Sequence, residues 1–300
     1  MYPAAMSISP YPSQVTLPGT PDRNWAKILD FLCHRFPRVS PGTWRNRICK
    51  GRVLDAQNIP ISLESPYIPG ACILYFKECP QERAIPFRET IVFRNDHLLV
   101  ACKPHFLPVM PAGSHVNETL LLRLKDRFQN PDLVPIHRID SETAGLVLFS
   151  TDKKTRGDFQ RLFMKRQVEK TYEAITLWPP GLPVKPFRLE HRIAKGEPWF
   201  ISKIVQGEPN AITDVEPITV KNGRAHLRLQ PITGKKHQLR LQLGSIGCQI
   251  INDRYYPDLK EKAPPDFETP LQLLARQISF TDPLSFEYRV FVSDRQLMEN

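Results

Sequence analysis

No two of the six cysteines (Cys33, Cys49, Cys72, Cys79, Cys102 and Cys248) are spaced C-x-x-C, and none follows a zinc-ligand spacing. That removes a dithiol redox motif and a readable metal site, so no metal and no cofactor are expected. Most of these thiols sit among apolar neighbours and read as small buried hydrophobes, which suits a reducing compartment. No apolar run approaches the roughly 20 residues that cross a bilayer. The first residues lack a basic start followed by an apolar core, so no signal peptide is read there. The expectation is a soluble, cytoplasmic monomer with no membrane partner. Acids are the scarce charge: 31 Asp and Glu stand against 41 Lys and Arg, giving +10 and a pI near 9.4. Such an excess suits a polyanion, and nucleic acid is the default candidate, although an ordinary basic protein carries the same signature.

Three hundred residues with 41% hydrophobic content allow one large domain or two unequal ones. Residues 1–21 are rich in Pro, Ser and Thr without apolar periodicity and read as a disordered tail. Residues 22–77 read as a separate small unit. Trp25, Ile28, Leu29, Leu32 and Phe36 recur at helical spacing, a second short helix is predicted over 43–50, and 53–63 and 71–76 read as short strands. Between Arg23 and Arg52 this block carries eight Lys or Arg, opposed by Asp30 alone. The polar, Pro-bearing stretch 78–87 reads as a linker. Beyond it lies the larger unit, 88–300. There, helices are predicted over 119–128 and 152–166, and strands over 91–93, 98–101, 170–177, 225–231 and 237–243. Many strands and few helices indicate an α+β fold with a mixed, mostly antiparallel sheet.

Chemistry concentrates in three segments. In His137-Arg138-Ile139-Asp140-Ser141-Glu142-Thr143-Ala144-Gly145-Leu146-Val147-Leu148-Phe149 a polar loop delivers one carboxylate at the lip of a buried strand. A rigid element behind it would fix Asp140 as a catalytic group requires, yet an Asp before a strand is more often a turn residue. The other two are Arg166-Gln167-Val168-Glu169-Lys170-Thr171-Tyr172-Glu173-Ala174 and Leu229-Gln230-Pro231-Ile232-Thr233-Gly234-Lys235-Lys236-His237-Gln238-Leu239-Arg240-Leu241.

In this order the three segments resemble the RluA family of RNA pseudouridine synthases, whose pattern is HRLD-x-x-T-S/A-G-L, then K-x-Y, then T-G-R/K-x-H-Q-I/L-R. The upstream Leu99-Val100-Ala101-Cys102-Lys103-Pro104 and the downstream Gly247-Cys248-Gln249-Ile250-Ile251-Asn252-Asp253-Arg254-Tyr255-Tyr256 resemble two further family segments. The likeness spans about residues 88 to 292. It implies the pseudouridine synthase fold, a bent central sheet crossed by the active-site cleft, and isomerisation of uridines in structured RNA, with rRNA set before tRNA by the S4-like block that follows. Two short helices, then Gly51-Arg52-Val53-Leu54 and a β ribbon, resemble a small α/β S4-like RNA-binding domain, with Arg45, Arg47 and Lys50 as contacts. Its usual V-x-V-N-G turn is replaced here by Val53-Leu54-Asp55-Ala56-Gln57-Asn58. A basic helical cap over the catalytic domain is the competing reading.

The resemblance assigns Asp140 as the essential carboxylate, Tyr172 as the active-site phenol and Arg240 as the partner that keeps Asp140 charged. A buried carboxylate drifts towards its neutral form unless a cation compensates, and a bidentate guanidinium is the strongest such partner. Outside the motif, Tyr172 would read as a core aromatic and Arg240 as a phosphate contact. Whether Asp140 adds to the sugar or acts through a glycal stays open. Arg138 aligns with an arginine that in some family members fills the stack vacated by the flipped base, or it contacts phosphate. His137 reads as structural or RNA-facing. Lys165, Arg166 and Lys170 belong to a run of seven cations between Lys153 and Lys170, a plausible phosphate-tracking face that could equally be a solvated helix. Lys235, Lys236 and His237 form a cationic turn read as another RNA contact. Departures from the family pattern are Gln242, Asn252 and Leu274, where His, Gly and His are usual. Two other functions compete: an RNA-binding, rRNA-folding protein with a vestigial site, and a glycoside hydrolase. The latter normally needs two carboxylates about 5 to 9.5 Å apart, and only Asp140 has a convincing context.

Overall fold

A computed structural model describes residues 6–20, 24–80, 82–113, 115–260 and 266–298. The chain divides into two units, residues 1–83 with 111–117, and residues 84–110 with 118–300. Among the described residues no helix is long and apolar enough to cross a membrane.

The first unit contains β1 (Met6–Ile8), β2 (Ser13–Thr16), α1 (Ile28–Arg35), α2 (Pro41–Cys49), β3 (Val53–Leu54), β4 (Cys72–Tyr75) and β5 (Glu78–Pro80). Ser40 starts α2: its Oγ accepts the Thr43 N–H at 3.1 Å, and Pro41 occupies the first helical position, where a missing N–H costs nothing. Strands β2, β4 and β3 form one antiparallel sheet, and β1 pairs with β5. Leu17, Leu32, Trp44, Val53 and Ile73 make the core.

Two expectations are corrected here. Residues 6–20 are not a disordered tail, because β2 fills the edge of β4 and Leu17 is fully buried. Most of their order comes from backbone pairing with a distant strand, which a Pro- and Ser-rich composition does not advertise. Residues 1–5 and 21 of that span, and Arg23 of the basic block, lie outside the described residues. Nor is 78–87 wholly a linker, since Glu78–Pro80 is a strand and the Glu82 carboxylate accepts the backbone N–H groups of Val116 and Asn117 at 2.7 and 2.9 Å.

The second unit holds β6 (Thr90–Arg94), β7 (Leu98–Lys103), α3 (Leu120–Phe128), β8 (Val134–Pro135), β9 (Ala144–Ser150), α4 (Arg156–Met164), β10 (Glu169–Leu177), β11 (Phe187–Lys195), β12 (Ser202–Val205), β13 (Ala211–Lys221), β14 (Arg224–Pro231), α5 (Gln238–Ser245), β15 (Leu273–Thr281) and β16 (Tyr288–Val292). One eleven-stranded sheet runs β12-β11-β13-β14-β10-β15-β9-β7-β6, with β16 added to β15 and β8 to β9. Every pairing is antiparallel except β15 with β9. The expected α+β class with a mixed, mostly antiparallel sheet is the one observed. Strand β9 is buried along its whole length, as its Ala-Gly-Leu-Val-Leu-Phe run requires.

Residues 237–243 are not a strand. The Gln-Leu-Arg-Leu-Gln-Leu alternation has period two, but its polar members are buried and bonded instead of solvated. The Gln238 amide donates to Ile212 O at 3.0 Å and Thr213 Oγ1 at 2.9 Å, while its carbonyl accepts the Lys235 N–H at 3.0 Å. The Gln242 carbonyl accepts from Thr213 Oγ1 at 2.7 Å, and its amide donates to Ala211 O at 3.1 Å. With Leu239 and Leu243 packed in the core one turn apart, all sides of α5 are satisfied by protein. The departure at Gln242 is therefore an anchor of α5 on β13.

Candidate active site

Asp140 lies in the loop that leads into β9, and three contacts fix that loop. Thr143 N–H donates to Asp140 O at 3.2 Å, Lys103 Nζ donates to Ser141 O at 2.9 Å, and His105 Nδ1 lies 2.7 Å from Glu142 O. Lys103 is fully buried at the end of β7, and burial lowers its pKa to about 7 against the opposing pull of Asp140. Gly145 takes a φ of +113°, and a Cβ there would meet Ala275 O at 2.2 Å. Only glycine lets β9 close on β15 at this point. Ala275 is in register with Tyr172 on β10, so one backbone contact ties the Asp140 loop to the Tyr172 strand.

Arg240, 1% exposed on α5, is the centre of the site. Its Nε and Nη2 form a bidentate pair with Asp253 at 2.8 and 2.7 Å, Nη2 lies 2.8 Å from Glu142 Oε2, and Nη1 lies 3.6 Å from Asp140 Oδ2. The expected bidentate pairing of Arg240 with Asp140 is thus made with Asp253, and Asp140 takes the remaining nitrogen at longer range. Asp253 is itself 1% exposed, and its Oδ1 also accepts the N–H groups of Tyr255 and Tyr256 at 2.8 and 3.2 Å. Asn252 adopts a left-handed φ of 65°, which explains why an Asn can stand where Gly is usual.

Burial pulls the Arg240 pKa down, but hydrogen bonds and charge from Asp253, then the charges of Glu142 and Asp140, outweigh it and the net shift is upward. Burial raises the Glu142 pKa, opposed by Arg240 and assisted by Asp253 and Asp140. Tyr172 is raised by burial and then by the Asp140 charge, so its phenol stays protonated. Arg240 also stacks over the Tyr255 ring, 4.7 Å from its centroid.

The remaining sequence candidates divide by exposure. Arg138, Lys165, Arg166, Lys235 and Lys236 are exposed. Arg166, Lys170 and Lys235 line a cleft of about 280 Å³ whose apolar wall includes Phe163 and Ile232. Lys170 is partly buried, donates to Thr233 O at 3.3 Å, and has its pKa lowered by burial. In the first unit Arg45 and Lys50 are exposed, whereas Arg47 is buried against Glu78 and offers no surface for RNA. His237 is not on an exposed cationic turn as expected: its side chain is 7% exposed, with Nε2 3.7 Å from Asp140 Oδ1. His137 is structural. Its Nε2 accepts the Leu148 N–H at 3.1 Å, its ring stacks on Phe163, and burial lowers its pKa to about 3.

Sequence reasoning missed Lys103, Glu142, Asp253 and Tyr255 as members of this cluster. Lys103, Asp253 and Tyr255 fall in the two flanking segments that resembled the family, and Glu142 lies two residues from Asp140, so the signal was present without assigned roles. Among the described residues no group of His, Cys, Asp and Glu could hold a metal.

Residues 97–245 match the family model described as RNA pseudouridylate synthase. The chain is 31% identical over 69% of its length to an uncharacterized RNA pseudouridine synthase of Helicobacter pylori, covering 69% of that protein. It is 30% identical over 67% of its length to the dual-specificity RNA pseudouridine synthase RluA of Pasteurella multocida, covering 90% of it. Among solved structures, human RNA Pseudouridylate Synthase Domain Containing 4 superposes with a TM-score of 0.52 at 27% identity, over 69% of this chain and 88% of that one. With a carboxylate loop, a buried arginine and a phenol brought together in a sheet of this kind, the chain belongs to the RNA pseudouridylate synthase family.

Proposed function

We propose that this isomerase converts uridines in structured RNA, rRNA in the first place, to pseudouridine with Asp140 as its catalytic carboxylate. The observation that supports this most is the contrast within one cluster: Asp253 is sealed at 1% exposure, while the Asp140 side chain is 29% exposed and faces the same guanidinium. Asp140 is the member a substrate can reach.

The reaction breaks the N1–C1′ bond, turns the detached uracil, and joins C5 to C1′. The proton on C5 leaves to solvent and N1 gains one, so no net redox change occurs. A stacked uridine hides both faces of the reacting bond, so the base must first leave its stack. Positive character develops at C1′ as N1 departs. The Asp140 and Asp253 carboxylates, held in place before the reaction begins, put negative charge near C1′ and favour that transition state over the neutral ground state. Arg240 holds Asp140 ready, and Tyr172 offers a ring face and a protonated hydroxyl beside it for the base. Arg138, exposed two residues before Asp140, suits either the vacated stack or a phosphate. The cations around the cleft, and Arg45 and Lys50 of the S4-like unit, would track the backbone.

Release of tritium from RNA labelled at uridine C5 tests both reaction and substrate class. With purified chain, labelled rRNA should lose tritium as pseudouridine appears at matching sites, more readily than tRNA. Release from tRNA alone would overturn the rRNA preference, and release from neither would overturn the activity.

A further inference from the structure

Asp140 has two oxygens, and Arg240 accounts for the surroundings of one. The other, Oδ1, faces His237 Nε2 at 3.7 Å. His237 sits immediately before α5 with a left-handed φ of 56°, and its Nδ1 lies 3.0 Å from the Tyr256 hydroxyl. Tyr256 is 4% exposed, and its hydroxyl oxygen accepts the Ser202 N–H at 2.7 Å. We infer that Ser202, Tyr256 and His237 form a hydrogen-bond relay that presents a neutral imidazole N–H to Asp140, making His237 and Tyr256 positioning residues for the carboxylate. This rests on Asp140 being the catalytic group.

The proton assignment follows from the partners. A neutral imidazole carries one N–H, and the bond made by one ring nitrogen decides which. Burial lowers the His237 pKa to about 4, with Asp140 pulling the other way, so the ring is neutral near pH 7. The Tyr256 oxygen already accepts from Ser202, and its hydroxyl hydrogen has two acceptors in reach, Ser202 O at 3.3 Å and His237 Nδ1 at 3.0 Å. Were the ring proton on Nδ1, the Nε2 lone pair would face a carboxylate oxygen across 3.7 Å, a repulsive arrangement in a buried site. With Tyr256 donating to Nδ1, the proton lies on Nε2 and both ends are satisfied. Each Asp140 oxygen then meets one donor, and the plane of the carboxylate is set from both sides. Both approaches, 3.6 and 3.7 Å, exceed a full hydrogen bond. The carboxylate is therefore oriented while its lone pairs remain available to C1′. A neutral donor orients the carboxylate without adding a second full cation to offset the charge that favours the developing C1′ cation.

Tyr256→Phe removes the hydroxyl without touching Asp140. His237→Gln puts an amide N–H near the place of Nε2, whereas His237→Asn can replace only the nearer Nδ1. Single-turnover rates and RNA affinities are measured for all three beside Asp140→Asn. Tyr256→Phe and His237→Asn should slow the chemical step on the order of ten- to hundredfold, with RNA affinity within about twofold. His237→Gln should recover at least several-fold over His237→Asn. Equal rates for the Gln and Asn variants, an unchanged rate for Tyr256→Phe, or a loss seen wholly as weaker RNA binding would each overturn the relay. An active Asp140→Asn removes the catalytic assignment itself. A dead Asp140→Asn beside a fully active Tyr256→Phe removes only the relay.

Discussion

Each unit buries a small ionic cluster, and the two are inverted in sign. In the first, Glu78 lies between Arg47 and Arg52, with side chains 4%, 7% and 24% exposed, a formal surplus of one positive charge. In the second, Arg240 lies among Asp140, Glu142 and Asp253, so three carboxylates share one guanidinium, with the amine of Lys103 nearby. The Glu78 carboxylate is covered by its partners, and Arg47 rests on the Trp44 ring at 5.0 Å. That cluster closes on itself and joins α2 to β5. The Arg240 cluster does not close, because Glu142 is pushed towards its neutral form by burial and Asp140 opens to solvent. A buried ion pair is weak grounds for function, since structural pairs are common. A buried cluster with unbalanced negative charge and one solvent-facing carboxylate suits a site where positive charge develops at the reacting atom.

Breaking each cluster at its centre should separate structure from catalysis. Arg240→Leu leaves the carboxylates uncompensated, a change that costs on the order of 3 to 5 kcal/mol at buried sites. It should abolish turnover and lower Tm together. If RNA affinity alone fell while Tm stayed fixed, Arg240 would be a phosphate contact and not the core of the site. Glu78→Leu should also destabilise, by an amount nearer the lower end of that range because Arg52 is partly hydrated. The rate constant at saturating RNA should remain within about twofold of wild type. Loss of catalysis without loss of stability would mean that the first cluster is not merely structural.

Acid should distinguish the units as well. Burial lowers His105, His137 and His237, all in the second unit, to pKa values of about 4, 3 and 4. Unfolded histidines bind protons near pH 6.5. Between pH 6.5 and about 4 the unfolded chain therefore holds more protons, and stability falls as pH falls. The second unit should melt at lower temperature across that window, and His137→Phe, which keeps a ring against Phe163, should flatten the slope. A Tm independent of pH from 6.5 to 4.5 would contradict the burial of these rings.

The smallest effect is expected from exposed charge. Arg45→Glu with Lys50→Glu should weaken RNA binding and reduce the slope of log affinity against log salt by about two contacts' worth, roughly 0.7 to 0.9 each. An unchanged slope would make the first unit a structural cap. Charge changes suit this test better than truncation, because residues 111–117 belong to the first unit and a cut after Arg83 would leave them without the Glu82 carboxylate.

Local pattern made β9, β10, β14 and α3 readable, because a continuous apolar run, a strand period and an amphipathic stripe are properties of the segment itself. It failed at α5, where Gln238, Arg240 and Gln242 occupy polar positions that tertiary bonds bury. It failed again at β2, where order depends on pairing with residues almost sixty positions away. The motif residues Asp140, Tyr172 and Arg240 are the three that the fold gathers into the candidate site. The pairing of Arg240 was not legible, since Asp253 and Glu142 reach it only through the folded sheet. The burial of Arg47 and His237 was hidden for the same reason: charge near other cations suggested a surface, and a distant Glu78 or Tyr256 made each an interior group.

The most direct measurement is single-turnover pseudouridine formation by Asp140→Asn, with RNA affinity measured on the same preparation. The substitution keeps size, removes the charge from the solvent-facing member of the cluster and leaves one of its two acceptor oxygens. The rate should fall below detection while affinity stays within a few-fold of wild type. Turnover at a tenth of the wild-type rate or more would contradict Asp140 as the catalytic carboxylate.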